Sequence, residues 1–226
     1  MSLSIEKQTT VVIAAAGLGT RLGLGPKALL ELNLSPLVVW VIKKALLLSD
    51  DVVVAVPPGY LKNFSHLNAQ CRWIEGGSTR QESIFRLMMA VEREWLVILD
   101  GARPFFSITL MQKVLSAARE TGVAGAFLPI DVPVALLSGE RVVQDFSKDQ
   151  LGVFQTPQAY SRQLLQRVYE ITIQNQWQEQ STMQLALRVG YPVRAVKGET
   201  TNIKITTPID WRLAHLLVDC LGLESN

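Results

Sequence analysis

The chain has 226 residues, of which 48% are hydrophobic and 19% charged, a composition that favours a packed globular core and excludes disorder. The formal net charge of +2 is too small to indicate nucleic acid or an acidic membrane surface as a partner. The two cysteines and two histidines lack metal-ligand spacing, and we expect both thiols to be reduced. Since no apolar run reaches the roughly 20 residues of a membrane helix and the N-terminus does not resemble a secretory signal, we expect a cytoplasmic protein.

Short β-branched runs alternate with longer helical patterns along the chain. The helix predicted from residue 80 to about 93 has Ser78 at its start and Gln81 in a capping box, and the last predicted helix opens on Thr207-Pro208, with Asp210 three residues after Thr207. The predicted elements are strands at 10–15, 51–56, 72–75, 95–99, 123–130 and 193–196, and helices at 36–49, 80–93, 108–121, 161–175, 183–189 and 207–221.

Between residues 131 and 152 the pattern changes to two short alternating pieces, VPVALL and ERVVQDF, on either side of Ser138-Gly139. This pattern is typical of a β-hairpin. Elsewhere, the alternation of strands and helices predicts parallel strands with helices on both faces of the sheet. We therefore expect an α/β fold with one doubly wound, mostly parallel, Rossmann-like sheet. A single domain would span residues 1–226, with a hairpin arm inserted at about 131–152.

The first predicted strand ends in a glycine-rich loop, AAAGLGTRLGLGPK, that spans residues 14–27. Its small residues allow backbone N–H groups to approach a phosphate, and Arg21 and Lys27 add positive charge. Leu22 stands where a dinucleotide-binding turn needs its third glycine, and the lysine follows Pro26 rather than the glycine of a P-loop. The loop therefore predicts a phosphate site of another kind; a glycine-rich turn with incidental bases is the alternative.

Three further segments lie at strand ends or helix starts. Gly76-Gly77, followed by Ser83, precedes a helix and is suited either to a base or ribose or to an ordinary helix cap. Asp100 ends an apolar strand and is suited to holding Mg²⁺ against phosphates, beside Arg103, or to capping a turn. Lys204 precedes the last helix and is either a second phosphate ligand or a surface lysine. In an open parallel sheet, ligands bind beyond the carboxyl ends of the strands, where such segments meet.

Together these segments resemble the 2-C-methyl-D-erythritol 4-phosphate cytidylyltransferase family, and the similarity extends from about Thr10 to Ala214. The motifs that carry it occur in the family's order. They are Ala15-Ala16-Gly17-x-Gly19-x-Arg21 with Pro26-Lys27, Gly76-Gly77-x-x-Arg80-x-x-Ser83, Asp100-x-Ala102-Arg103-Pro104, Gln155-Thr156-Pro157-Gln158 and Asn202-Ile203-Lys204-Ile205-Thr206.

The resemblance implies an enzyme of the non-mevalonate isoprenoid pathway that binds CTP and Mg²⁺, in which the phosphate of methylerythritol phosphate attacks the α-phosphorus of CTP. It implies catalytic roles for Arg21, Lys27, Lys148 and Lys204, with Lys204 positioning the acceptor phosphate. It also implies a homodimer in which an arm at about 132–145 reaches into the partner's site. The implied substrate-binding residues are Ala15, Ala16, Gly17, Gly19, Gly77, Ser83, Asp100, Gly101 and Arg103, with Asp100 also as the metal ligand.

Most departures from the family pattern fall on the acceptor side. Val132-Pro133 stand where the family usually has an Asp-Thr pair, Lys148 replaces an arginine, and Ser181-Thr182 replace an acidic pair. Gly101 replaces the usual alanine. Two alternatives therefore stay open: a cytidylyltransferase for another sugar-alcohol phosphate, such as ribitol 5-phosphate, and a nucleotide-binding homologue that has lost catalysis.

Overall fold

The structure is a computed structural model that describes residues 7–20, 22–23 and 25–223. The strands are β1 (Thr9–Ala14), β2 (Glu31–Leu32), β3 (Ser35–Pro36), β4 (Val52–Val56), β5 (Arg72–Glu75), β6 (Trp95–Asp100), β7 (Val123–Pro129), β8 (Val134–Ser138), β9 (Arg141–Phe146), β10 (Gly152–Ser161) and β11 (Arg194–Lys197). The α-helices are α1 (Leu37–Leu46), α2 (Leu61–Phe64), α3 (Arg80–Met89), α4 (Ile108–Thr121), α5 (Arg162–Gln174), α6 (Thr182–Val189) and α7 (Pro208–Cys220). None of the helices in these residues is long and apolar enough to cross a membrane.

The central sheet contains seven strands in the order β11-β7-β10-β6-β1-β4-β5. Neighbouring strands are parallel, except that β10 runs antiparallel to both β6 and β7. The predicted mostly parallel α/β fold is therefore confirmed. Because strands β1, β4, β5 and β6 point the same way, their carboxyl ends lie along one edge of the sheet.

Hydrophobic residues pack on both faces of this sheet. Side chains alternate along β1, so Val11 and Ile13 belong to one core cluster, with residues of α1 and α4. Val12 belongs to a second cluster, with residues of α3, α5 and α6. A third, smaller cluster around Trp40 joins α1 to α7. The doubly wound arrangement follows from this alternation, because each face of the buried strands needs its own cover of helices.

The predicted hairpin is also present. Strands β8 and β9 pair antiparallel with each other as a separate two-stranded sheet. Several of the arm's apolar side chains are half exposed or more: Val132, Leu136, Leu137, Val142 and Val143. The arm therefore presents an apolar surface that this chain does not itself cover.

The start of α3 differs from the prediction. Thr79, not Ser78, is the N-cap, since its hydroxyl accepts a bond from the backbone N–H of Glu82. Glu82 rather than Gln81 holds the third helical position, and its carboxylate accepts bonds from the N–H and hydroxyl of Ser78. The helix also ends at Met89, about one turn earlier than predicted.

The sequence analysis missed β10, which lies inside the sheet. Pro157 cannot donate a ladder hydrogen bond, and Gln155, Thr156 and Gln158 lack the apolar pattern of a buried strand. The strand accommodates these residues through a register shift between Phe154 and Gln158 in its pairing with β7. The short elements α2, β2, β3 and the 3-10 turns Lys27–Leu29 and Lys148–Gln150 were not predicted either.

Helix α7 begins with the predicted Thr-Pro cap. The hydroxyl of Thr207 accepts from the N–H of Asp210 at 3.3 Å, and the Asp210 carboxylate accepts from the N–H of Thr207 at 2.8 Å. Replacing Thr207 with alanine should lower the free energy of unfolding by about 1 kcal/mol, measured by urea denaturation. As a control, replacing Thr109, exposed on α4, should change stability by less than about 0.5 kcal/mol. Equal losses in both variants would contradict this prediction.

Candidate active site

A cleft of about 800 Å³ opens at the carboxyl ends of β1, β4, β5 and β6. This is the position expected for a ligand site in an open parallel sheet. Its lining residues lie at the ends of these strands, in the loops that follow them and in the first turns of α3, together with Lys27, Ala28 and Lys204. The residues from the strand ends, loops and α3 are Ala14, Ala15, Ala16, Gly17, Leu18, Pro58, Tyr60, Gly77, Ser78, Thr79, Arg80, Ser83, Asp100, Gly101 and Ala102.

Close packing between strand ends explains several small residues in the cleft. A Cβ at Gly101 would lie 2.8 Å from the Cβ of Ala15, so glycine lets the end of β6 approach the loop after β1. The N–H of buried Gly77 donates to the Ser83 hydroxyl at 3.0 Å, which ties the double-glycine turn to α3. Gly19 does not line the cleft: its φ is +68°, and a Cβ there would lie 2.4 Å from the carbonyl oxygen of Gly25. Gly19 therefore shapes the loop by allowing a close backbone approach.

Asp100 lies at the centre of a cluster of three cations. Its Oδ1 accepts bonds from Arg80 at 2.9 and 3.0 Å, and its Oδ2 lies 2.8 Å from Nζ of Lys204. The Nε of Arg103 is 3.8 Å from the same Oδ2. Asp100 is only 6% exposed, so its carboxylate is largely shielded from water, whereas Arg80 and Lys204 remain partly exposed.

The cluster keeps Asp100 ionised. Burial alone would raise the pKa of this carboxyl, but Arg80, Lys204 and Arg103 outweigh burial and hold the pKa well below its usual range. Burial lowers the pKa of Arg103, and the charge of Asp100 opposes that effect. Three cations around one carboxylate leave an excess of positive charge, which favours an anionic ligand in the cleft.

Lys27 and Lys204 meet at the same cleft although they are far apart in the sequence. The Nζ of Lys27 donates to the carbonyl oxygen of Ile205 at 2.8 Å. Ile205 directly follows Lys204 in the chain. Both lysines line the cleft, as the sequence analysis expected of convergent phosphate ligands. Arg21, the third predicted cation, lies outside the described residues.

The other predicted site residues divide into two groups. Ala15, Ala16, Gly17, Gly77, Ser83 and Gly101 line the cleft, and Arg103 lies beside it, 8% exposed, with its NH1 donating to the carbonyl oxygen of Asn202 at 2.6 Å. Lys148 does not line the cleft of this chain; it lies exposed in a 3-10 turn at the base of the arm.

The sequence analysis quoted Arg80 in a motif but gave it no role. In the structure its guanidinium turns into the cleft and binds Asp100. The available signal was its place in the first turn of a helix that follows the double glycine Gly76-Gly77. A first-turn arginine there points towards the strand ends, although sequence alone does not distinguish that orientation from a solvent-facing one.

Asp100 is the only carboxylate that lines the cleft in the described part of the chain. Among those residues no group of three or more His, Cys, Asp or Glu side chains is placed to hold a metal ion. Mg²⁺ at a nucleotide commonly takes one or two carboxylates and completes its shell with phosphate oxygens and water. A single aspartate therefore fits Mg²⁺, provided that Lys204 or Arg80 releases one of the two carboxylate oxygens that they bind.

A parallel-sheet cleft with a glycine-rich loop and clustered cations is suited to a nucleotide, and the protein family that matches this chain is one of nucleotidyltransferases. The model of the 2-C-methyl-D-erythritol 4-phosphate cytidylyltransferase family matches residues 9–219. The chain belongs to this family. It is 36% identical over 210 residues to the enzyme of that name from Thermus thermophilus, covering 93% of this chain and 97% of that protein. The Deinococcus radiodurans protein of the same name is also 36% identical, with 93% and 89% covered.

Solved structures agree with this assignment. The crystal structure of 2-C-methyl-D-erythritol 4-phosphate cytidylyltransferase from Thermus thermophilus has a TM-score of 0.82 at 33% identity, and 93% of this chain and 98% of that chain are covered. The structure of 4-diphosphocytidyl-2C-methyl-D-erythritol synthase from Anaerococcus prevotii has a TM-score of 0.84, with 95% and 99% covered. At 23% identity, the second similarity supports the fold alone.

Proposed function

We propose that the protein transfers CMP from CTP to 2-C-methyl-D-erythritol 4-phosphate and releases pyrophosphate, a step of the non-mevalonate route to isoprenoids. The observation that carries this proposal is the convergence of Arg80, Arg103 and Lys204 around Asp100, with Lys27 in the same cleft, in a family member. Such a cluster suits a reaction that brings two anions together.

The proposed step is an in-line displacement at the α-phosphorus of CTP. An oxygen of the acceptor phosphate forms the new P–O bond, while the bond to the oxygen that bridges to the β-phosphorus breaks. Pyrophosphate leaves with that electron pair. The nucleophile is already an anion, so no general base is required, and the protein must mainly position the phosphates and offset their charge.

Individual lysines and arginines take distinct roles in this proposal. Lys27 and Arg21 stabilise the charge that develops on the α-phosphate, and Lys204 holds the acceptor phosphate. Backbone groups of the loops after β1 and β5, including those at Ala15–Gly17 and Gly77, hold the cytidine with Ser83. Arg103 adds positive charge beside the acceptor.

Mg²⁺ is the proposed cofactor; Asp100 would hold it, and when bound it would offset the charge of the triphosphate. The chain's own contribution is to keep Asp100 ionised; Lys204, 2.8 Å from Oδ2, would release that oxygen to the metal and turn to the acceptor phosphate. Arg80, on the other carboxylate oxygen, fixes the orientation of the aspartate.

We further propose a cytoplasmic homodimer built from one domain per chain. The exposed apolar side chains of the arm, such as Leu137 and Val142, suit contact with a second copy. In that arrangement Lys148, which is exposed at the base of the arm, would serve the partner's cleft rather than its own.

A different acceptor, such as ribitol 5-phosphate, remains a second candidate because Val132-Pro133 and Lys148 alter the segment assigned to acceptor contact. The test is pyrophosphate release from CTP with Mg²⁺ and each alcohol phosphate in parallel. Methylerythritol phosphate should give the highest kcat/KM. Faster turnover of ribitol phosphate would transfer the assignment to the second candidate, and tight CTP binding without turnover on either would indicate a homologue that has lost catalysis.

Replacing Lys204 with alanine should act mainly on the acceptor. We expect KM for the acceptor phosphate to rise about tenfold or more, because a charge-assisted contact to a phosphate oxygen is lost. The affinity for CTP, measured by equilibrium binding, should change much less. An effect confined to CTP binding would contradict the role given to Lys204.

A further inference from the structure

The segment 199–205 connects three of the cations in the active site. Its Ile205 carbonyl accepts from Lys27 at 2.8 Å, its Asn202 carbonyl accepts from Arg103 at 2.6 Å, and its Lys204 side chain reaches Asp100 at 2.8 Å. The segment lies between β11 and α7 and contains no helix or strand. After Lys204, the N–H of Ile205 anchors the segment by donating to the carbonyl oxygen of Ala102 at 2.9 Å. Before Lys204, the contacts that join the segment to β10 are made by side chains.

The side-chain amide of Gln155, in β10, binds the backbone of this segment through both its oxygen and its nitrogen. Its Oε1 accepts from the N–H of Glu199 at 3.1 Å, and its Nε2 donates to the carbonyl oxygens of Glu199 at 3.0 Å and Asn202 at 3.3 Å. The residue is 4% exposed. A Cβ at Gly198 would lie 2.3 Å from the same Oε1, so the chain approaches Gln155 as closely as a glycine permits.

Asn202 completes the contact from the other side. It is fully buried, and its Nδ2 donates to the carbonyl oxygen of Thr156 at 2.8 Å and to Oε1 of Gln155 at 3.3 Å. We name these reciprocal contacts of Gln155 and Asn202 the amide clasp. The clasp joins the segment to β10, which pairs with β6, the strand that ends in Asp100.

We infer that Gln155 and Asn202 are positioning residues that place Lys204 for the transfer step; this inference rests on the proposed function. Neither residue lines the cleft, so they act through the lysine and not on a substrate. The Lys204 side chain is 37% exposed, and a long side chain of this kind has considerable rotamer freedom. Its ammonium group stays near the reacting phosphates only if its backbone origin is fixed, and a displacement of about 1 Å is enough to cost roughly a hundredfold in rate.

The first test is Gln155→Met, which removes every clasp bond of Gln155 while keeping an unbranched side chain and introducing no charge. Gln81→Met is the matched control. The Gln81 amide also binds backbone at both ends, with Nε2 to the Trp177 carbonyl and Oε1 to the Glu179 N–H, each at 3.0 Å, but it does not contact segment 199–205. Gln155→Met should lower kcat/KM for the acceptor by about tenfold and by no more than Lys204→Ala does, with CTP affinity within about threefold of wild type, whereas Gln81→Met should keep kcat/KM near wild type.

A double-mutant cycle separates positioning from general stabilisation. In the background of Lys204→Ala, Gln155→Met should cost less than about threefold, because the side chain that it positions is already absent. A merely structural role would give the same loss in both backgrounds. Equal, additive losses would therefore overturn the inference, and so would a Gln155→Met enzyme with wild-type kcat/KM.

Gln155→Leu provides a second variant in case the methionine enzyme does not fold, since it removes the same hydrogen bonds with a side chain of similar size and adds no charge. Hydrogen exchange of the peptide spanning 199–206 gives a readout independent of activity: it should accelerate in the Gln155 variants and not in the Gln81 control. If the wild-type enzyme transferred no cytidylyl group, the proposed function would fail, while equal exchange in both sets of variants would reject the clasp itself.

Discussion

Replacing Lys27 with alanine should lower kcat by about two powers of ten or more, the size expected for the loss of one preorganised charge. Its Nζ lies in the cleft, held by the Ile205 carbonyl at 2.8 Å, so the ammonium group is in place before the substrates bind. Because its charge acts most strongly when negative charge builds up on the α-phosphate, the loss should appear in kcat more than in the affinity for CTP.

Lys113→Ala is the control for this prediction, since Lys113 is an exposed lysine of α4 away from the cleft. Steady-state kinetics of pyrophosphate release would measure both variants, and the control should match the wild type. Wild-type turnover in Lys27→Ala would remove this lysine from the proposed mechanism.

Replacing Asp100 with asparagine should reduce both activity and stability. Without the carboxylate, Arg80, Arg103 and Lys204 repel one another in a partly buried site, so kcat should fall by about two to three powers of ten. Breaking a fully buried ion pair costs about 3–5 kcal/mol. Since Arg80 and Lys204 retain 24% and 37% exposure, we expect a smaller loss of about 2 kcal/mol in the free energy of unfolding.

The loss of stability in Asp100→Asn should depend on pH, because the pKa of Asp100 is lowered in the folded state. A carboxyl whose pKa is lower in the folded state stabilises the fold above its unfolded pKa of about 4, and this contribution disappears as the pH falls towards the folded value. The stability difference between wild type and Asp100→Asn should therefore be constant from pH 7 to about 5 and shrink below about pH 4. A difference that stayed constant down to pH 3 would contradict this assignment.

Asp51→Asn is a matched control for Asp100→Asn. Asp51 also forms ion pairs with two arginines, Arg72 at 2.8 Å and Arg93 at 3.6 Å, but it precedes β4, at the opposite end of the strand from the cleft. Its replacement should lower stability without lowering kcat. A comparable loss of kcat would mean that Asp100→Asn reports general destabilisation and not chemistry.

Most of the sheet could be predicted from the sequence because its parallel strands are buried on both faces. The run of β4 is continuously apolar and that of β1 is apolar after Thr9-Thr10, so both patterns indicate strands without further context. Strand β10 could not be found in this way. Its polar Gln155, Thr156 and Gln158 are buried only because tertiary contacts satisfy their hydrogen bonds. Such contacts cannot be predicted from a local sequence pattern.

The candidate active site was also only partly predictable from the sequence. Strand ends predicted that Lys27, Asp100 and Lys204 would meet, since the carboxyl ends of parallel strands share one edge. The partnership of Arg80 with Asp100 depends on a side-chain orientation that spacing does not determine. Lys148 was placed by motif order alone, and motif order does not reveal that an inserted arm carries the residue away from its own cleft.

The two ends of the arm lie next to each other in the central sheet. Pro129 and Gly152 are direct cross-strand partners of β7 and β10, so the segment between them leaves and re-enters the sheet at neighbouring points. A segment anchored in this way can be shortened, lengthened or exchanged for that of a relative with little disturbance of the strands beneath. Segment 130–151 could thus be exchanged between homologues as one unit, which would test whether it contributes to acceptor preference as proposed.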